Sequence, residues 1–107
     1  HLSQAYFEKG DIERAGYFSE MVVQSGLRSP MALVSLATFR ARQGRISTAE
    51  ELVREALDRN PRYVDGYVTL AQILLQRGRR SEAISVAKKG LEIDPENVEA
   101  RMIVDRP

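Results

Sequence analysis

The chain has 107 residues, 43% of them apolar, and 16 Lys and Arg against 15 Asp and Glu give a net charge of +1. That is enough apolar material for one folded unit, and the charge balance sets up no general field towards nucleic acid or an anionic membrane. There is no cysteine, and the one histidine is His1, so disulfides, thiolate chemistry and His/Cys metal sites are excluded.

Leu2 to Lys9 reads as the end of a helix stopped at Gly10, where a residue without a β-carbon can close the last turn. Asp11 begins the next turn. Ala15, Phe18 and Val22 then recur at helical spacing, predicting a second helix from about Glu13 to Ser25 that ends near Gly26. Ser29-Pro30 is a helix start, the serine as cap and the proline in the first turn. Leu33, Leu36, Ala37 and Arg40 share a face of that helix, and Gly44 ends it. Its partner is expected to open at Ser47, where Ser47 and Glu50 have capping-box spacing, with Ala49, Val53, Ala56 and Leu57 as its buried stripe. Asn60-Pro61 stops it.

Tyr67, Leu70, Ala71 and Leu74 then mark a helix from about Val64 to Arg77. Gly78 turns the chain, Ser81 is expected to cap, and Ala83, Ala87, Gly90 and Leu91 line a helix ending at Asp94-Pro95. A last helix starts at Val98 and runs to Val104. No stretch alternates with a period of two, so no sheet is expected. No apolar run is long enough to span a bilayer, and the first ten residues are neither basic nor apolar enough for a signal peptide. The chain starts without methionine and partway through a helix, so it is expected to be a segment of a longer array.

A gapless period of 34 residues runs through these elements. Gly10, Gly44 and Gly78 align, as do Ala15, Ala49 and Ala83, and between the later units Leu36 with Leu70, Ala37 with Ala71, Leu57 with Leu91 and Pro61 with Pro95. Such a period means that each unit buries its apolar face by stacking on its neighbours. The small residues allow the paired helices to approach closely. Gly90 is expected opposite Ala71, with packing outweighing its poor helix propensity.

The series Tyr67, Leu70, Ala71, Leu74, Gly78, Ala83, Ala87, Gly90 and Pro95 resembles the tetratricopeptide repeat, and the resemblance covers the whole chain. The family's tryptophan position holds Leu33, Tyr67 and Arg101, and its second aromatic Tyr6, Arg40 and Leu74. The resemblance implies an all-α fold, a right-handed superhelical solenoid of antiparallel helix pairs whose first helices line a concave groove that binds peptides or protein segments. It divides residues 1–107 into a partial first repeat (1–29), a second (30–63), a third (64–97) and the start of a further repeat or capping helix (98–107).

No chemistry of an enzyme emerges. There is no nucleophile beside a base, no glycine-rich phosphate loop and no ligand set for a metal, and carboxylates such as Glu50 and Glu51 read as a solvated helix face. No cofactor is expected.

By repeat position, the groove is expected to take Gln4 and Phe7 from the first unit. The second unit supplies Met31, Val34, Thr38 and Arg42, and the third Asp65, Val68, Gln72, Leu75 and Gln76. Two readings stand for Val34, Val68 and Leu75: apolar anchors for a ligand, or packing between adjacent first helices. Chaperone-binding members of the family grip an acidic C-terminus with lysines and asparagines. Val34 and Val68 stand in the lysine position here, and Gln4, Thr38 and Gln72 in an asparagine position, so no such carboxylate clamp is expected.

Arg40, Arg42 and Arg45 flank one turn, and Arg77, Arg79 and Arg80 the next, which predicts a basic edge. It serves either to meet an acidic protein, an anionic polysaccharide, lipid head groups or nucleic acid, or to give solubility, with local pairing to Glu50, Glu51 or Glu82. No aromatics interleave, which argues against nucleic acid, and no membrane contact is indicated. The leading function is a non-catalytic scaffold binding another protein or a peptide in its groove. The alternative is a structural spacer or self-association module of a larger assembly or secretion machine, with exposed array ends pairing two copies.

Overall fold

The computed structural model describes the backbone of residues 2–105 and the side chains of residues 13–105. Among these residues it forms six helices and no strand: α1 (Leu2–Gln24), α2 (Pro30–Arg42), α3 (Ile46–Arg59), α4 (Val64–Gln76), α5 (Arg80–Ile93) and α6 (Val98–Asp105). Each helix packs on the next, and α2, α4 and α6 also meet side by side. The result is an all-α solenoid of helix pairs. No described helix is long and apolar enough to cross a membrane.

The turns repeat one piece of chemistry. Gly26, Gly44 and Gly78 have φ of 97°, 83° and 74°, the left-handed conformation that only glycine adopts without strain. At Gly44 the amide donates to the Ala41 carbonyl at 3.0 Å and the Arg45 amide to the Arg40 carbonyl at 2.9 Å. Gly78 repeats this with Leu75 at 3.0 Å and Arg79 to Leu74 at 2.9 Å. Carbonyls that the helix end would leave open are thereby satisfied. The proline loops also repeat: the Asn60 side chain accepts from the Arg62 amide at 3.1 Å, and Asp94 from the Glu96 amide at 3.3 Å. One turn into the following helix, Tyr67 Oη donates to the Pro61 carbonyl at 2.7 Å and Arg101 to the Pro95 carbonyl at 2.9 Å.

The core follows the expected stripes in the second and third units. Leu33, Ala37, Ala49, Val53, Ala56, Ala71, Leu74, Ala83 and Ala87 are fully buried, with Leu36 and Leu70 nearly so. Gly90 is buried but faces the Cβ of Tyr67, where an added methyl would sit 3.4 Å away, rather than Ala71.

Three further expectations fail. The turn at Gly10 does not form, and α1 runs unbroken from Leu2 to Gln24. A glycine inside a helix costs only about 1 kcal/mol relative to alanine, so one glycine does not stop a helix unless returning chain closes against it. In α1 the buried face is also rotated: Gly16, Ser19 and Val23 are buried, whereas Ala15 and Phe18 are exposed. Gly16 seats the Phe39 ring so closely that a Cβ there would lie 2.2 Å from it. Finally, Ser47 and Ser81 do not cap. Their helices start one residue earlier, at Ile46 and Arg80, with Arg45 and Arg79 in the capping position and no side-chain cap. The Ser47 hydroxyl instead accepts from Arg77 at 3.4 Å. Ser29 does cap, accepting from the Ala32 amide at 3.2 Å with Pro30 behind it.

Candidate functional site

The first helices α2, α4 and α6 lie side by side, and the groove they form contains two depressions. One, of about 430 Å³, is lined by Thr38, Ala41 and Arg42 from α2 and by Thr69, Gln72, Ile73 and Gln76 from α4. The other, of about 410 Å³, is lined by Gln72 and Leu75 from α4, by Arg80, and by Glu99, Met102 and Ile103 from α6. Gln72 lines both. Its side-chain amide donates to Glu99 Oε2 at 3.2 Å, tying α4 to α6 across the groove floor.

Helical periodicity explains why these side chains converge. Thr38 and Arg42, and Gln72 and Gln76, are four residues apart, which places each pair on one helix face. The 34-residue step puts Thr38 over Gln72 and Arg42 over Gln76, so neighbouring first helices present the same face. The Thr38 hydroxyl donates to the Val34 carbonyl at 3.1 Å.

The remaining expected groove residues are placed differently. Val34 and Val68 are only 8% and 5% exposed and belong to the packed core. Leu75 is 39% exposed and lines the second depression. Met31 and Asp65 are exposed at the starts of α2 and α4 and line neither depression. Gln4 and Phe7 lie outside the residues whose side chains are described. Glu99, Met102 and Ile103 add a third wall that the sequence reading, which takes 98–107 as the start of a further repeat or a capping helix, assigns no groove residues.

The predicted basic edge is not one edge. Arg40 turns towards α1, where it pairs with Glu20 at 3.2 Å and lies over the Phe39 ring at 5.8 Å. Arg77 and Arg79 converge on Glu50 at 3.1 and 3.5 Å, and Arg79 also holds Glu82 at 2.7 Å. The Glu50 side chain, 12% exposed, takes a third partner in Arg54 at 3.0 Å. Arg80 belongs to the groove, and Arg45 and Arg42 are exposed. Local pairing therefore accounts for Arg40, Arg77 and Arg79.

No group of three or more His, Cys, Asp or Glu gathers in metal-binding geometry among the described residues. The ionisable groups that are clearly shifted lie outside the groove. The Arg28 guanidinium, bonded to Glu55 with one contact of 2.7 Å, holds that carboxyl below its ordinary range, and burial pushes the Tyr63 hydroxyl up.

The sequence profile of the tetratricopeptide repeat matches residues 40–105, more than half of the chain. The chain belongs to the tetratricopeptide repeat family. Solved tetratricopeptide structures share its fold at low identity. The first such domain of Spaghetti (RPAP3), bound to the HSP90 peptide SRMEEVD, superposes with a TM-score of 0.80 at 21% identity, covering 94% of this chain and 80% of that one. The tetratricopeptide domain of Arabidopsis OM64 gives 0.80 at 16% identity, over 94% and 83% of the two chains. The second such domain of human RPAP3, in complex with the HSP70 peptide SGPTIEEVD, gives 0.77 at 17% identity over 94% and 84%. A search of curated protein sequences finds no match. As a tetratricopeptide repeat chain, this molecule has a protein-interaction fold, a scaffold and not a catalytic one.

Proposed function

We propose that the groove along α2, α4 and α6 binds an extended segment of another protein, within an array divided as 1–29, 30–63, 64–97 and 98–107. The observation that carries this reading is the convergence of Thr38, Arg42, Gln72 and Gln76 on one depression that continues, through Gln72, into a second lined by Leu75, Met102 and Ile103. Amide and hydroxyl groups suit the backbone of an extended chain, whose own N–H and C=O groups need partners when they leave water. The apolar part of the second depression suits one aliphatic side chain. Peptides held by structurally similar domains support the class of partner.

An acidic C-terminal tail is not the ligand that this groove fits best. Its lysine-type positions are Val34 and Val68, both buried, so a run of carboxylates would meet Arg42 and little else on the wall between α2 and α4.

Peptides selected from a random display library against the 107-residue chain test the reading. Their binding should fall at least tenfold in the Gln72→Ala/Gln76→Ala variant, with the helical circular dichroism spectrum retained, while SRMEEVD binds weakly or not at all. Selected peptides that bind the variant as well as the parent would overturn it.

A further inference from the structure

The two depressions of the groove differ in charge. The one between α2 and α4 has a single charged side chain in its lining, Arg42, beside the neutral Thr38, Thr69, Gln72 and Gln76. Arg42 is exposed at the end of α2. Among the described residues it has no carboxylate partner, whereas Arg40, Arg77 and Arg79 are held by Glu20, Glu50 and Glu82. The depression between α4 and α6 is lined by one cation, Arg80, and one anion, Glu99, around Leu75, Met102 and Ile103. Its charges balance, and the Glu99 carboxylate already accepts from Gln72 at 3.2 Å.

This difference sorts the side chains that a bound segment can place in each depression. A guanidinium on a concave surface attracts an anion, and its planar fork matches a carboxylate through two parallel N–H···O bonds. No carboxylate lines the first depression to compete for it, and a basic side chain there would meet a like charge. In the second depression an acidic side chain would meet Glu99 and a basic one Arg80, so the apolar lining favours an aliphatic group.

Geometry sets the spacing between the two. The depressions flank α4, so their centres lie about one helix spacing apart, roughly 8–10 Å. A chain in the polyproline conformation rises about 3.1 Å per residue and returns to the same face every third residue. Residues three apart on such a segment reach both depressions.

We infer, resting on the groove reading above, that the bound segment carries one aspartate or glutamate for Arg42 and, three positions away, one aliphatic residue for the depression of Leu75, Met102 and Ile103. The segment is internal to its chain. Arg42 is the one cation lining the first depression, so the extra carboxylate of a chain end would find no second partner there.

Dodecamer peptides displayed by fusion through their C-termini, and so without a free terminal carboxylate, test this when selected against the 107-residue chain. The selected set should be enriched in Asp or Glu three positions from Leu, Ile, Val or Met. The strongest binder, made with an amidated C-terminus, should lose at least tenfold in affinity on Arg42→Glu and on Met102→Asp. Its derivative with lysine in place of the acidic residue should bind the parent chain at least tenfold more weakly, and should bind Arg42→Glu more tightly than it binds the parent. That reversal is not produced by misfolding, and both substituted residues are exposed. Peptides that lose affinity on Gln72→Ala/Gln76→Ala but bind Arg42→Glu as tightly as the parent would overturn this inference and leave the groove reading standing. A selected set without the acidic residue, or with the pair at another spacing, would do the same. Peptides indifferent to every one of these variants would overturn both.

Discussion

The α2–α3 and α4–α5 pairs and the long helix α1 are built from the same register, yet only the pairs fold back on themselves. Gly44 and Gly78 turn the chain, and in each case the returning helix buries alanines against the one before it: Ala37 with Ala49, Ala71 with Ala83. Gly10 has the same residue type at the same step, and the helix passes through it. The difference teaches that the turn is closed by the buried pair that follows it. Glycine lowers the strain of the closed state but does not create it.

The largest test of this contrast compares the core with α1. Leu74, fully buried between the pairs, should cost about 2–5 kcal/mol on Leu74→Ala in a urea titration. Phe18→Ser, on the exposed face of α1, should stay within about 0.5 kcal/mol. Equal losses would mean that α1 is packed as the pairs are. The turn glycines give opposite signs: Gly78→Ala, at φ 74°, should destabilise by about 1 kcal/mol, whereas Gly10→Ala, inside a helix, should stabilise by up to about 1 kcal/mol. Thermal melts of both variants decide this, and a destabilising Gly10→Ala would restore the turn.

Caps sharpen the same comparison at smaller amplitude. Ser29→Ala should cost about 1 kcal/mol, and Ser47→Ala and Ser81→Ala little, because neither hydroxyl occupies a cap. The smallest effect is the pH dependence of the Arg28–Glu55 contact, which ties the loop after α1 to α3. Glu55 is lowered from 4.5 in the folded chain, so its contribution is fully present above that value and is lost as pH falls through the lower folded value. In the Arg28→Gln variant, the acid limb of the stability curve should flatten slightly.

Much of the fold was legible because its signals are local. Ser29-Pro30, Asn60-Pro61, Asp94-Pro95 and the glycines at 26, 44 and 78 each act through backbone chemistry within a few residues, and the stripes through helical period. What was not legible depended on distant groups. Arg77 draws Ser47 and Glu50 to itself across 27 to 30 residues of sequence, so the capping box that their spacing suggests does not form. Phe39 claims Gly16, which rotates α1 away from its apparent stripe.

The groove divides in the same way. Thr38, Arg42, Gln72 and Gln76 were readable as positions that the repeat leaves free of packing. Val34 and Val68 occupy equivalent places in the register, and their burial depends on how closely neighbouring first helices approach, which sequence periodicity does not encode.

Amide chemical-shift mapping of the 107-residue chain with a bound, library-selected peptide tests the groove most directly. The account predicts the largest shifts on α2, α4 and α6, at Thr38, Gln72, Gln76 and Met102, with α3 and α5 unchanged. Shifts concentrated on α3 and α5, or on α1, would contradict it.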